Sequence, residues 1–147
     1  MSATTHPTTF FSGLISRAVS GALAGIAGGI VYGMLLVVMG MLPVVAMLVD
    51  SESAVVGGLV HLAISAGLGA LFGVVVPATK LGALLGAGAV YGVVWWILGP
   101  MVILPVRLGM PPFMVDAGAW MILIGHVIYG LVTAAVLFGI RRYARST

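Results

Sequence analysis

Two histidines, His61 and His126, stand inside long apolar runs of this 147-residue chain. An ionisable side chain in such a run is costly to bury and marks a functional site by default. Imidazole there can ligate a metal or a haem iron, exchange protons near neutral pH, or tie helices together. Tyr32 and Tyr91 lie in equally apolar runs, and Ser65 follows His61 by one helical turn. Thr133, with Tyr129, shares the helical face near His126. Counted from the ends of their stretches, His61 and His126 lie roughly 10 and 13 Å deep, with Tyr32 at a comparable level. His61, His126, Tyr32, Tyr91, Ser65 and Thr133 therefore form the candidate intramembrane polar site. His6 lies in the N-terminal tail, and no role is expected for it.

Three kinds of function fit these residues. If the histidines are axial ligands of one b-type haem, they face each other across a four-helix core and the neighbouring glycines leave room for the macrocycle. If they line a small-solute or proton-linked transporter or channel, Tyr32, Tyr91, Ser65 and Thr133 line it with them. If each merely donates an interhelical hydrogen bond, the protein is a non-enzymatic structural or accessory subunit, and this is the expectation adopted. A copper reading draws on Met39, Met41, Met47, Met101, Met110, Met114 and Met121, because thioether and imidazole suit Cu(I). Methionine is also an ordinary filler of apolar space, and the identity of any metal stays open.

Other chemistry lacks its residues. Cysteine is absent, which removes disulfides, thiolate ligands and cysteine nucleophiles. The chain has no Ser-His-acid set, HExxH or P-loop, so no catalytic residues are expected. The three acids, Asp50, Glu52 and Asp116, fall in polar breaks. A shared cation site between Asp50 and Asp116 has no further support. The cations are spread along the chain, which speaks against nucleic acid.

The elements that must position the polar site follow from composition. Hydrophobic residues make up 62% of the chain, charged residues 6%, and mean hydropathy is +1.29. A soluble domain has roughly 25% charged residues, so the expected surroundings are a lipid bilayer. About 20 apolar residues span one, and four stretches qualify: Ala18 to Met41, Ala54 to Val76, Leu81 to Gly99 and Ala117 to Ile140. Residues 1–17 read as a mobile polar tail, and 18–147 as one transmembrane domain. The first apolar run is too long for a signal peptide and is retained as a helix. Pro43 is expected to end or kink the first helix. Pro100, Pro105, Pro111 and Pro112 predict an irregular, apolar loop over 100–116, lying at the interface or folded back on the bundle.

Arg17, Lys80, Arg141, Arg142 and Arg145 fall on one side of a four-span chain; Asp50, Glu52 and Asp116, with Arg107, fall on the other. The positive-inside rule then predicts cytoplasmic N- and C-termini. Trp95, Trp96 and Trp120 fall toward the outer helix ends, as an aromatic belt would.

Gly29, Tyr32 and Gly33 recur 59 positions later as Gly88, Tyr91 and Gly92. His61 and Phe72-Gly73 recur as His126 and Phe138-Gly139. The pattern predicts a duplication, repeat one over about 18–76 and repeat two over about 81–140. Each repeat is a helical hairpin, and the two share one orientation, as parallel repeats do. Close backbone approach is expected at Gly21, Gly25, Gly29 and Gly33, at Gly69 and Gly73, and at Gly88, Gly92 and Gly130. These are GxxxG-type faces, which serve a homo-oligomer or a larger membrane complex as readily as one chain.

The stretch Tyr91-Gly-Val-Val-Trp95-Trp96-Ile-Leu-Gly99-Pro100, followed by Pro105, Leu108-Gly-Met-Pro111 and Gly125-His126, resembles a group of small bacterial inner-membrane proteins of unknown function. The resemblance covers most of the third and fourth helices and, more weakly, the first pair. It implies a bacterial inner membrane and four helices, and it brings no activity or site residues. The fold class expected is an all-α membrane protein of four transmembrane helices arranged as two parallel-repeat hairpins.

Overall fold

In the computed structural model, which describes the backbone of residues 7–146 and the side chains of 11–146, the apolar stretches fold as helix, and no strand occurs among the described residues. The elements are α1 (Pro7–Val38), the short α2 (Leu42–Ala46), α3 (Ala54–Val75), α4 (Leu81–Leu98), the short α5 (Leu104–Arg107) and α6 (Ala117–Tyr143). Four helical stretches, Phe11–Val38, Ala54–Val75, Leu81–Arg107 and Ala117–Tyr143, are long and apolar enough to cross a bilayer. The protein is an all-α, multi-pass membrane protein.

Helix ends follow local chemistry. Gly40 takes a φ of 65°, and behind it Gly40 N donates to Val37 O and Met41 N to Leu36 O. This paired 5→2 and 6→1 pattern closes α1 with a left-handed residue that glycine adopts without steric cost. Pro43 then sits in the first turn of α2, where its missing N–H is harmless. Ser53 caps α3 and Asp116 caps α6, the latter accepting from Ala119 N at 2.8 Å.

Two expectations about the elements change. The stretch read as a polar tail, residues 1–17, is helical from Pro7 onward, since no proline follows Pro7 before Ala18 and a lone Gly13 weakens a helix without ending it. Ser2 to His6 fall outside the described residues. The third span does not end at Gly99 either. It continues through a π turn, Gly99–Ile103, into α5. The wider turn, in which Leu104 N donates to Gly99 O, lets the helix pass Pro100. Pro105 cannot donate to Met101 O, and Phe113 N takes that carbonyl instead, at 2.8 Å. The proline-rich segment thus folds back on the bundle, and only its latter part, 109–116, is irregular.

In lipid there is little hydrophobic drive between helices, so close backbone approach decides packing. α1 lies on α3: a Cβ on Gly21 would collide with Gly69 O, and one on Gly25 with Ser65 O. α4 lies on α6 in the same manner, with Gly88 against Gly130 and Gly92 against the His126 carbonyl. The two pairs join through α1 and α6, where Gly28 meets Tyr129 and Thr133, and Gly125 meets the Tyr32 ring. α3 and α4 are bridged more sparingly, by Tyr91 Oη donating to Leu68 O at 2.7 Å and by the Phe72–Tyr91 ring contact.

Near one end of the bundle, Ala24, Phe72, Leu84, Ala134 and Leu137 form a closed core. That end is basic. Arg17 donates to Gly73 O and Val74 O, and Arg141 to Gly73 O, Val76 O and Ala78 O. The start of α1 and the end of α6 therefore meet at the C-terminus of α3, and the arginines occupy carbonyls that the helix leaves unbonded. At the opposite, acidic end Arg107 pairs with Asp50 at 2.6 Å.

Candidate functional site

Between the acidic end and the mid-depth of the bundle lies a cavity of about 300 Å³. α1 contributes Tyr32 and Leu36, α3 contributes His61, Ile64 and Leu68, and α6 contributes Ile122 and His126. Trp95 of α4 and Gly99, Pro100 and Ile103 of the π turn complete the wall, with α2 and its flanks as cover. The wall is hydrocarbon apart from the two imidazoles, the Tyr32 phenol and the Trp95 indole.

Tyr32 stands at the centre. Its ring touches both imidazoles, at centroid distances of 5.3 Å to His61 and 4.9 Å to His126. It fits there because Gly125 has no side chain; a Cβ on Gly125 would lie 2.9 Å from Tyr32 Cζ and closer still to the ring edge. Tyr32 is 5% exposed, and its hydroxyl makes no hydrogen bond within the protein. His61 Nε2 donates to Gly29 O at 2.9 Å, and His126 Nδ1 to Ile122 O one turn back on its own helix, also at 2.9 Å. The buried indole N–H of Trp95 has no partner.

The six candidate residues divide. Tyr32, His61 and His126 come together in the cavity; Tyr91, Ser65 and Thr133 do not line it. Tyr91 bolts α4 to α3. Ser65 is buried against Gly29, and its carbonyl accepts from Tyr129 Oη at 2.8 Å, bolting α6 to α3. Thr133 is fully buried beside Gly28 in the α1–α6 crossing. Sequence reasoning read Trp95 as part of an aromatic belt and Arg17 and Arg141 as topological anchors. Trp95 lines the cavity, and the arginines cap α3; the freedom of helix-end carbonyls was the signal available for the latter.

The donor set does not fit a bis-histidine haem. The Tyr32 ring packs against both imidazoles where the macrocycle would lie, and His61 Nε2 is committed to a carbonyl. Among the described residues, no group of three or more His, Cys, Asp and Glu side chains comes together.

What the arrangement can do is hold a small molecule, with hydrocarbon on most sides and polar atoms at one place. Set against known protein families, curated proteins and solved structures, the chain matches none of them.

Proposed function

We propose that this chain is a non-enzymatic, accessory protein of the bacterial inner membrane, with both termini in the cytoplasm, whose task is to hold a small and mostly apolar molecule in the outer half of the bundle. One observation carries this: the Tyr32 side chain, 5% exposed, brings a hydroxyl with no hydrogen-bond partner in the protein to a cavity of about 300 Å³. Leaving a buried hydroxyl unsatisfied costs about 1–3 kcal/mol, and a chain selected for packing alone gains by carrying phenylalanine there. The volume lies at the lower edge of small-ligand pockets. The basic end, with Arg17, Lys80 and Arg141, supports the orientation.

Duplication supplies a reason for the cavity. Matched glycines meet matched partners: Gly29 meets Ser65 and Gly33 meets His61, as Gly88 meets Gly130 and Gly92 meets His126. On the same correspondence, Gly28, Gly125 and Thr133 of the tight α1–α6 crossing match Ala87, Val60 and Leu68 of the α4–α3 crossing. Bulkier residues hold α3 and α4 apart, and the space between them is the pocket. Small residues close one crossing and not the other.

The test is titration of the purified protein in nanodiscs with small aromatic and branched compounds, read from Trp95 fluorescence with W95F as the control. Saturable quenching that W95F removes is expected. If no compound in a broad panel saturates the signal, the reading falls.

The position of the cavity, at the junction of two repeats, also favours a small-solute transporter. In that case liposomes containing the protein move the bound compound, and H61A/H126A liposomes do not. Gly82 and Gly86, four residues apart on α4, meet nothing within 4 Å, which favours a second copy or a partner helix at that face; cross-linking from Gly82 checks it.

A further inference from the structure

Each imidazole in the cavity has one nitrogen already committed to the backbone. His61 Nε2 and His126 Nδ1 both lie 2.9 Å from carbonyl oxygens, Gly29 O and Ile122 O. A carbonyl oxygen only accepts, so each of these nitrogens carries the ring's hydrogen. In the neutral ring the second nitrogen, Nδ1 of His61 and Nε2 of His126, is then an acceptor, and neither has a protein donor. The Tyr32 ring packs against both imidazoles, and its hydroxyl makes no hydrogen bond to either. The cavity therefore holds two unmatched acceptors and one free hydroxyl, in walls that are otherwise hydrocarbon but for the Trp95 indole, whose unpaired N–H is itself buried.

The mouth of the cavity opens onto the lipid-facing surface. Ile64 of α3 and Ile103 of the π turn both line it, yet they are 42% and 52% exposed. No charged side chain lines the cavity. A molecule entering there comes from the acyl region of the bilayer and must itself be lipid-soluble.

We propose that the cavity selects a lipophilic alcohol or phenol, whose hydroxyl donates to the free nitrogen of His61 or His126 while its hydrocarbon body lies along Leu36, Ile64 and Leu68. This rests on the ligand-holding reading above and adds the class of ligand. A hydroxyl is the group that answers the site: it supplies the missing donor and can accept from Tyr32 Oη. An ether or a ketone only accepts, and leaves both imidazole nitrogens unmatched.

Three probes of nearly one shape test this in nanodiscs, each corrected for partition into empty nanodiscs: 4-propylphenol, its methyl ether and propylbenzene. Binding of 4-propylphenol at least about tenfold tighter than the other two is expected, the loss that goes with an unmade buried hydrogen bond. A nitrogen NMR spectrum of the histidine-labelled protein should show the unprotonated ring nitrogen of His61 or His126 shifting with the phenol and not with the ether. This readout needs no variant, so a folding defect cannot obscure it. If none of the three saturates, the ligand-holding reading itself is overturned for this class. If all three bind alike, a ligand pocket stands and selection by hydroxyl is overturned. If the ether matches the phenol and both exceed the hydrocarbon, the protein is the donor, which also overturns the proposal.

Discussion

Gly125 and Tyr32 show how one absent carbon places one ring. The phenol lies where a Cβ on Gly125 would stand, and that gap lets it reach both imidazoles. Gly125→Ala should push the ring away and lower stability by about 1–3 kcal/mol, the usual cost of overpacking, read as a lower unfolding temperature in detergent. Gly67→Ala is the matched control: it meets open space, and no loss is expected. At the basic end, Arg141 spans three carbonyls with its planar guanidinium. Arg141→Lys keeps the charge but not the fork, and an unfolding temperature lowered toward that of Arg141→Ala is expected. The polar intruders were legible in the sequence because a histidine or tyrosine in an apolar run is conspicuous. The role of Gly125 was not, since it depends on which helix lies opposite.

Among the elements, the helix boundaries at Gly40, Ser53 and Asp116 follow from local caps, whereas Pro43, expected to end the first helix, sits in the first turn of the next. The passage through Pro100 and Pro105 was hidden, because it needs a π turn and a donor, Phe113 N, that comes from a later part of the chain. The same segment reaches back to the loop before α3 through Arg107 and Asp50. Their side chains are 45% and 81% exposed, so solvent screens the pair, and exposed pairs of this kind contribute about 0–1 kcal/mol. Arg107→Ala should therefore change the unfolding temperature only slightly, and less at high salt than at low salt. A large loss at any salt would show that Arg107 also packs the α5 segment in place.

For the molecule as a whole, hydropathy alone predicted four spans, and the fold has them. The order in which the helices neighbour one another was not available from hydropathy, since every helix carries glycines and the partners are chosen by a few small side chains. With Arg17 and Arg141 both on Gly73 O, the early part of α1 and the late part of α6 lie together at the end of α3. Reporter tags at both termini should read the same compartment, the cytoplasm; a split result would refute the orientation.

The glycine contacts of α1 with α3 bear on more than packing. Near the basic end the two backbones touch directly, and Ala24, Phe72, Leu84, Ala134 and Leu137 fill what is left. The pocket is therefore a blind alley. A molecule that enters from the acyl region meets this plug before the basic end, and leaves by the way it came.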